Sequence, residues 1–384
     1  MRRQTLPLMG YLFFAYSALT VLVSYLPVYF QNEGWSQSQI GWLIAIGPLA
    51  AVFAQPFWGY MSDKWKTIKK ILIICLSSGA VVSVFFFQIT EFYALFIFGF
   101  MLFIFVAPTT ALGDSLTQKT AMQQGLSFGR IRMWGSLGFA FTSLVSGFFL
   151  ERVGVSYLYV PFLLFTLLAL SMAWLVTDAK PANKPVTIVY ALQFGVKPRV
   201  LFFLGMIFFI SVGHRANDSF LGLFIVELGG AESLIGMAWF VGVVSEAVVF
   251  FLSYLWFRRF HPLFFILIAG LLYAFRWFMM AGMDDPSHVL WLQVLHGITF
   301  GGMYFSALQY ISKLVPEELQ ATGHLLFITT FFGLSGVIGS LGGGWMMEHY
   351  GGEGLYTLLG VFAVTGVLFL FIYSLRLKIA LRET

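Results

Sequence analysis

Runs of about twenty apolar residues recur from one end of this 384-residue chain to the other, and twenty residues of α-helix is the length that crosses a bilayer. That repetition limits the chain to a bundle of membrane-spanning helices. Only 10% of the residues are charged while 59% are hydrophobic, against roughly 25% charged in a soluble domain. A water-exposed globule of this size could not be covered with so little polar surface. The opening "MRRQTLPLMGYLFF" has a basic start but too long an apolar run for a cleaved leader and no small-residue cleavage site, so it reads as the first span. One cysteine, Cys75, excludes an internal disulfide.

Twelve spans are predicted, near 7–30, 38–61, 70–88, 92–115, 131–150, 157–176, 200–226, 234–257, 262–282, 288–310, 323–347 and 354–375. The connections are short except 177–199, where Pro181, Pro185 and Pro198 stand among polar residues. The expected organisation is therefore a six-helix bundle over 1–176, a linker over 177–199 and a second six-helix bundle over 200–384. Basic residues fix the orientation. With the N-terminus in the cytoplasm, 18 of the 22 Lys and Arg fall on that side, from Arg2 and Arg3 to Arg382, and only Arg152 lies outside. The net charge of +5 is explained by this asymmetry and does not call for nucleic acid. The expected location is the cytoplasmic membrane, multi-pass, with both termini inside.

The halves echo each other. "GFFLERVG" at 147–154 matches "GWMMEHYG" at 344–351, pairing Gly147, Glu151 and Gly154 with Gly344, Glu348 and Gly351 at an offset of 197. Glycines there allow close helix approach. Tandem bundles of six spans suit a carrier in which two halves rock about a central site.

The loop after the second span, "GYMSDKWKTIKK", carries Gly59, Asp63, Lys64, Lys69 and Lys70. It resembles the signature of the major facilitator superfamily, although the inner Gly of that signature is replaced near Lys66. The resemblance gives Gly59, Asp63 and Lys64 a gating role, with the Asp capping a helix and pairing with bases across the bundle. The stretch "FGRIRMWGSLGF" resembles the opening of the fifth helix in the lactose permease group of that superfamily. By this resemblance Arg132 is the sugar-binding arginine, Asp114 its acidic partner, and Ser136 and Phe139 line the site. Glu246, Arg276 and His296 resemble the coupling residues, and Asp218 another member of that network. The chain departs at three places: Phe139 stands where the sugar-stacking Trp is expected, Thr299 where a carboxylate is, and Gln293 where a lysine is. The stretch "GPLAAVFAQPFWGYMSDK" also resembles the phenylpropionate-permease-like and nucleoside symporter relatives.

Physical chemistry supports the same residues independently. A charge near the middle of a bilayer costs roughly 2.5–3.5 kcal/mol on insertion scales, so one persists where it pairs or meets water. Asp114 is the expected partner of Arg132, while Arg130, about 200° further round the helix, turns to the headgroups. A planar guanidinium suits hydroxyl or carboxylate groups, and the Phe139 ring offers an apolar face. "HRAND" sets Arg215 and Asp218 three residues apart on one helix face. Glu246 lies mid-span among Val, Ala and Phe, and moving it between an apolar setting and a cation changes its hold on a proton. His296 could share that relay.

No phosphate loop, metal-ligand spacing or nucleophile triad is present, so no enzyme and no cofactor beyond a coupling proton are expected. The leading expectation is a monomeric, proton-coupled symporter that imports a small polar organic solute, with a sugar or glycoside first and a nucleoside or aromatic carboxylate next. A proton-coupled drug exporter is the second expectation, weakened because "GSLGFAFTSLVSG" lacks the proline such exporters carry in the fifth span. A non-transporting sensor is the third, and the costly charges in the spans argue against it.

Overall fold

A computed structural model describes residues 5–179, 197–252, 261–315 and 320–380. Most of the predicted linker and the terminal arginines Arg2, Arg3 and Arg382 lie outside the described residues. The described chain is all helix: α1 Leu6–Asn32, α2 Gln37–Trp65, α3 Lys69–Phe86, α4 Phe92–Gln124, α5 Phe128–Val153 and α6 Tyr159–Leu175, then α7 Pro198–Glu227, α8 Glu232–Leu252 and α9 Pro262–Ala281. The next segment, α10, is composite, with helix over Val289–Gln293, a π-helical stretch over Gly297–Gly302 and helix again over Met303–Leu314. α11 begins at Gln320, passes through a second π-helical stretch at Thr329–Leu334 and continues from Ser335. It breaks at Gly351, whose φ of 65° and ψ of −172° are not helical, and α12 follows to Ala380.

Ten helices among the described residues are long and apolar enough to span a membrane. The last of them, Gly323–Leu375, is 53 residues long and holds two of the expected spans across Gly351. The expected span at 288–310 is the interrupted α10.

Local chemistry sets the ends. Ser36 and Gln39 form a capping box at the start of α2, with Ser36 N donating to Gln39 Oε1 at 3.0 Å. Pro198 and Pro262 open α7 and α9, where a missing N–H costs nothing. Gly125, at φ 64°, ends α4. At the end of α2 the left-handed cap, φ 53°, is taken by Lys66 rather than glycine. The backbone there keeps the conformation that favours glycine and tolerates a residue that does not. The 197-residue repeat is a helix-ending device: Gly154 and Gly351 both adopt positive φ, 99° and 65°.

The chain divides into two compact units, Met1–Lys184 with Gly229–Phe240, and Pro185–Leu228 with Val241–Thr384. In the first, α1 crosses α5 at Gly138, where any Cβ would strike the Phe13 carbonyl, and Ser17 Oγ donates to Gly138 O at 3.3 Å. In the second, α7 crosses α11 at Gly339, where a Cβ would lie 2.9 Å from Ala216 N. Ser219 Oγ and Ser340 Oγ share a hydrogen bond of 3.1 Å beside it. A second tie repeats as well. Asn32 Nδ2 donates to Ser156 Oγ at 2.9 Å in the first unit, and Gly352 N donates to the Glu227 carboxylate at 3.1 Å in the second. Internal repetition is therefore present in the polar ties as well as in the sequence.

Candidate functional site

The first unit assembles an ion pair and a tyrosine from three helices. Arg132 Nε lies 2.7 Å from Asp114 Oδ1, so α4 and α5 supply the ion pair expected of them. The Tyr16 hydroxyl on α1 donates to the other carboxylate oxygen, Asp114 Oδ2, at 3.0 Å. The same tyrosine lays its ring under the guanidinium, with Arg132 Cζ 4.0 Å from the ring centroid. The side chains of Arg132 and Asp114 remain 25% and 33% exposed, so the pair is reachable. Arg130, two residues back on α5, is exposed.

Ser136 and Phe139 follow Arg132 at i+4 and i+7, which places all three on one stripe of α5. Ser136 and Phe139 are both half-buried. The Phe139 ring packs on Trp239, centroids 5.6 Å apart, and the indole N–H of Trp239 is buried with no acceptor. Seven residues of helix rise about 10 Å, so the stripe has a charged end at Arg132 and an aromatic end at Phe139.

The second unit holds a larger polar cluster. On α7, Arg215 Nη1 donates to Asp218 Oδ2 at 2.6 Å, the local pair that "HRAND" implies. His214 Nε2 lies 3.5 Å from the same oxygen, and its ring stacks on Phe300 at 4.7 Å with only 10° between planes. On α9, Arg276 is fully buried. Its Nη2 donates to Gln293 Oε1, its Nη1 lies 3.4 Å from His296 Nδ1, and its plane sits 4.8 Å over Trp277. The rings of His214 and His296 are 5.7 Å apart and join the two groups. Thr299, buried, turns its hydroxyl back to Leu295 O at 3.0 Å. Glu246 on α8 is half-buried beside the π-helical stretch of α10, its Cγ 3.4 Å from where a Cβ of Gly301 would stand.

The structure thus brings Asp114 to Arg132 and Arg276 to His296. It sets Asp218 against Arg215 and His214, and holds Arg276 against Gln293 and His296. Gly59 faces open space, where an added Cβ would meet nothing within 4 Å, and Asp63 and Lys64 are exposed. The carboxylate that caps the next helix is Asp178, at the end of the sixth span. It accepts from Thr67 Oγ1 at 2.5 Å and from Ile68 N and Lys69 N at 3.0 Å each. Sequence reasoning missed Tyr16 and Asp178. Each makes its contact across more than ninety residues, and no local pattern marks such a pairing.

Long apolar helices that carry paired charges in their interiors, repeated in two halves with matching ties, define a membrane transporter of the major facilitator fold. The model of the MFS_1 like family matches residues 5–358, and the chain belongs to that family. It is 30% identical to the maltose permease of Geobacillus stearothermophilus over 387 residues, covering 100% of this chain and 97% of that one. It is 23% identical to the nucleoside permease NupG of Escherichia coli (strain K12), over 94% of this chain and 92% of the other. The crystal structure of the nucleoside transporter NupG superposes with a TM-score of 0.86 at 18% identity, covering 98% and 100% of the two chains. These relatives are transporters, and the protein is a multi-pass membrane transporter of a small molecule, not an enzyme.

Proposed function

We propose that the protein is a proton-coupled symporter that imports a sugar or glycoside by alternating access. The reachable Asp114–Arg132 pair carries this reading. A guanidinium fork beside a carboxylate offers donors and an acceptor at the spacing of neighbouring hydroxyls. Ser136 adds a hydroxyl one turn on. Phe139 gives the C–H face of a pyranose ring an apolar partner. The full-length likeness to a maltose permease supports a sugar over other polar solutes.

Proton coupling falls to the second half. Glu246 takes up the proton with the solute and gives it up on the cytoplasmic side. Asp218 is the second candidate, and Arg276 and His296 supply the charge and hydrogen bonds against which the carboxyl titrates. The Thr299 hydroxyl does not ionise in the physiological range, which leaves the task to these two acids. Gly59, Asp63 and Lys64 act at the cytoplasmic gate. The carrier works as a monomer in the cytoplasmic membrane, both termini inside, as six-helix bundles over 1–176 and 200–384 joined by a cytoplasmic 177–199. It needs no cofactor beyond the proton and binds no nucleic acid.

A nucleoside is the second reading, favoured by the likeness to NupG across nearly the whole chain. Purified protein heated with maltose, a panel of other sugars, uridine, adenosine and 3-phenylpropionate tests the choice, because a ligand bound to the folded state raises its unfolding temperature by mass action. Stabilisation by sugars alone is expected. Stabilisation by nucleosides alone would move the assignment to the second reading.

A further inference from the structure

We infer that Tyr16 is the positioning residue of the solute site: it locks the Arg132 guanidinium and the Asp114 carboxylate into one rigid group. The tyrosine makes two different contacts at once. Its hydroxyl occupies Asp114 Oδ2 at 3.0 Å, while Arg132 Nε holds Oδ1 at 2.7 Å, so both carboxylate oxygens are engaged and the carboxylate cannot rotate without breaking a bond. Its ring supports the guanidinium face at 4.0 Å, which fixes the plane in which the arginine's remaining N–H groups point. A guanidinium with no ring against its face keeps more freedom to swing. A ring beneath it removes that freedom before any solute arrives, and preorganisation of this kind lowers the cost of binding.

The backbone around Tyr16 is built for this contact. At Gly135 a Cβ would stand 2.7 Å from Arg132 Nη1 and 2.7 Å from the Tyr16 ring, so any side chain there would displace one or the other. At Gly113 of α4, next to Asp114, a Cβ would stand 2.7 Å from the Tyr11 ring of α1. At Gly138 the two helix backbones touch. Three glycines on α4 and α5 thus bring α1 close enough for one tyrosine to reach both members of the pair. Because Tyr16 joins α1 to α4 and α5 through charged groups, a change in how α1 crosses α5 alters the solute site directly.

This inference rests on the solute-site reading of Asp114 and Arg132 for its transport consequence, and the test separates the two. In proteoliposomes, Tyr16→Phe keeps the ring and removes the hydroxyl. It is expected to raise the KM for maltose about tenfold, the effect of one hydrogen bond to a charged group, with the maximal rate nearly unchanged. Tyr16→Leu removes the ring as well and raises KM further. In an Asp114→Asn background, Tyr16→Phe should add little, since the charged partner of the hydroxyl is already gone.

The solute-independent arm measures modification of Arg132 by phenylglyoxal, read by peptide mass. The exposed Arg130 serves as the reference, and the fully buried Arg276 as a check on folding. Tyr16→Phe and Tyr16→Leu are expected to speed labelling of Arg132 relative to Arg130 severalfold while Arg276 stays protected. If Tyr16→Phe leaves the relative labelling of Arg132 at the parental value, the positioning role is overturned, whatever the solute. If labelling rises in the variants but the parent ignores maltose, the positioning stands and the sugar reading fails. Tyr16→Leu that merely lowers folded yield, with Tyr16→Phe parental in both KM and labelling, would reduce Tyr16 to packing.

Discussion

Removing the Arg132 side chain is the most direct test of the solute site. Two opposite charges with centres about 4 Å apart attract by about 4 kcal/mol at an effective dielectric of 20. With a quarter to a third of each side chain open to solvent, the usable part is closer to the 1.5–3 kcal/mol of a hydrogen bond to a charged group. A solute that takes two such bonds from the guanidinium would lose about 3 kcal/mol or more in Arg132→Ala, which is a weakening of a hundredfold or greater. Arg132→Lys keeps the charge and loses the fork and the flat stack on Tyr16, so about one bond disappears and binding weakens about tenfold. The assay is the unfolding temperature of purified protein across a maltose series, in which each variant's dissociation constant follows from the concentration at which stabilisation begins. The ranking parent, Lys, Ala is the expected result. Arg132→Ala that binds as tightly as the parent would refute the clamp and leave Arg132 a structural counter-ion to Asp114.

Three further outcomes are expected. Glu246→Gln should abolish uphill uptake driven by an imposed pH gradient while solute counterflow survives, because exchange needs only the loaded carrier to reorient; a mutant that still concentrates solute removes Glu246 from the mechanism. Asp178→Ala should expose the first amides of α3 at a cost of about 1 kcal/mol, the usual value of a lost helix cap, read as faster hydrogen exchange at Ile68 and Lys69 with little change elsewhere. Cysteines placed at Lys64 and Asp285 should react with an impermeant maleimide from opposite sides of the membrane, and labelling from one side would overturn the topology.

Much of the fold was legible because a membrane imposes a long, coarse pattern. Apolar runs and basic loops read directly as spans and sides, and the repeated "GFFLERVG" and "GWMMEHYG" turned out to mark the two positive-φ glycines, Gly154 and Gly351. The helices outrun the apolar runs where polar residues continue them. α4 extends to Gln124 rather than 115, since helical hydrogen bonding does not stop where lipid does. Asp114 and Arg132 were legible as charges that had to be matched. Tyr16 was not, because a tyrosine in "FFAYSAL" looks like one more packing aromatic, and only the glycine-mediated crossing of α1 shows what it reaches. Likewise the signature loop directs attention to Asp63 as a cap, whereas the cap observed on α3 is Asp178, 109 residues from Lys69. A cap supplied from another helix leaves no spacing to read.

The two π-helical stretches, Gly297–Gly302 in α10 and Thr329–Leu334 in α11, have a consequence for how such chains change over time. A π turn closes over one residue more than an α turn, so each stretch is the trace an inserted residue leaves in a helix that absorbed it. Deleting a single residue within 297–302 would restore ordinary winding and leave Met303–Leu314 with its place and its face. The same deletion in an ordinary α turn would shorten the helix by about 1.5 Å and turn everything beyond it by about 100°. A single gain or loss of a codon at these two sites is therefore absorbed without exchanging the side chains that the helix offers its neighbours.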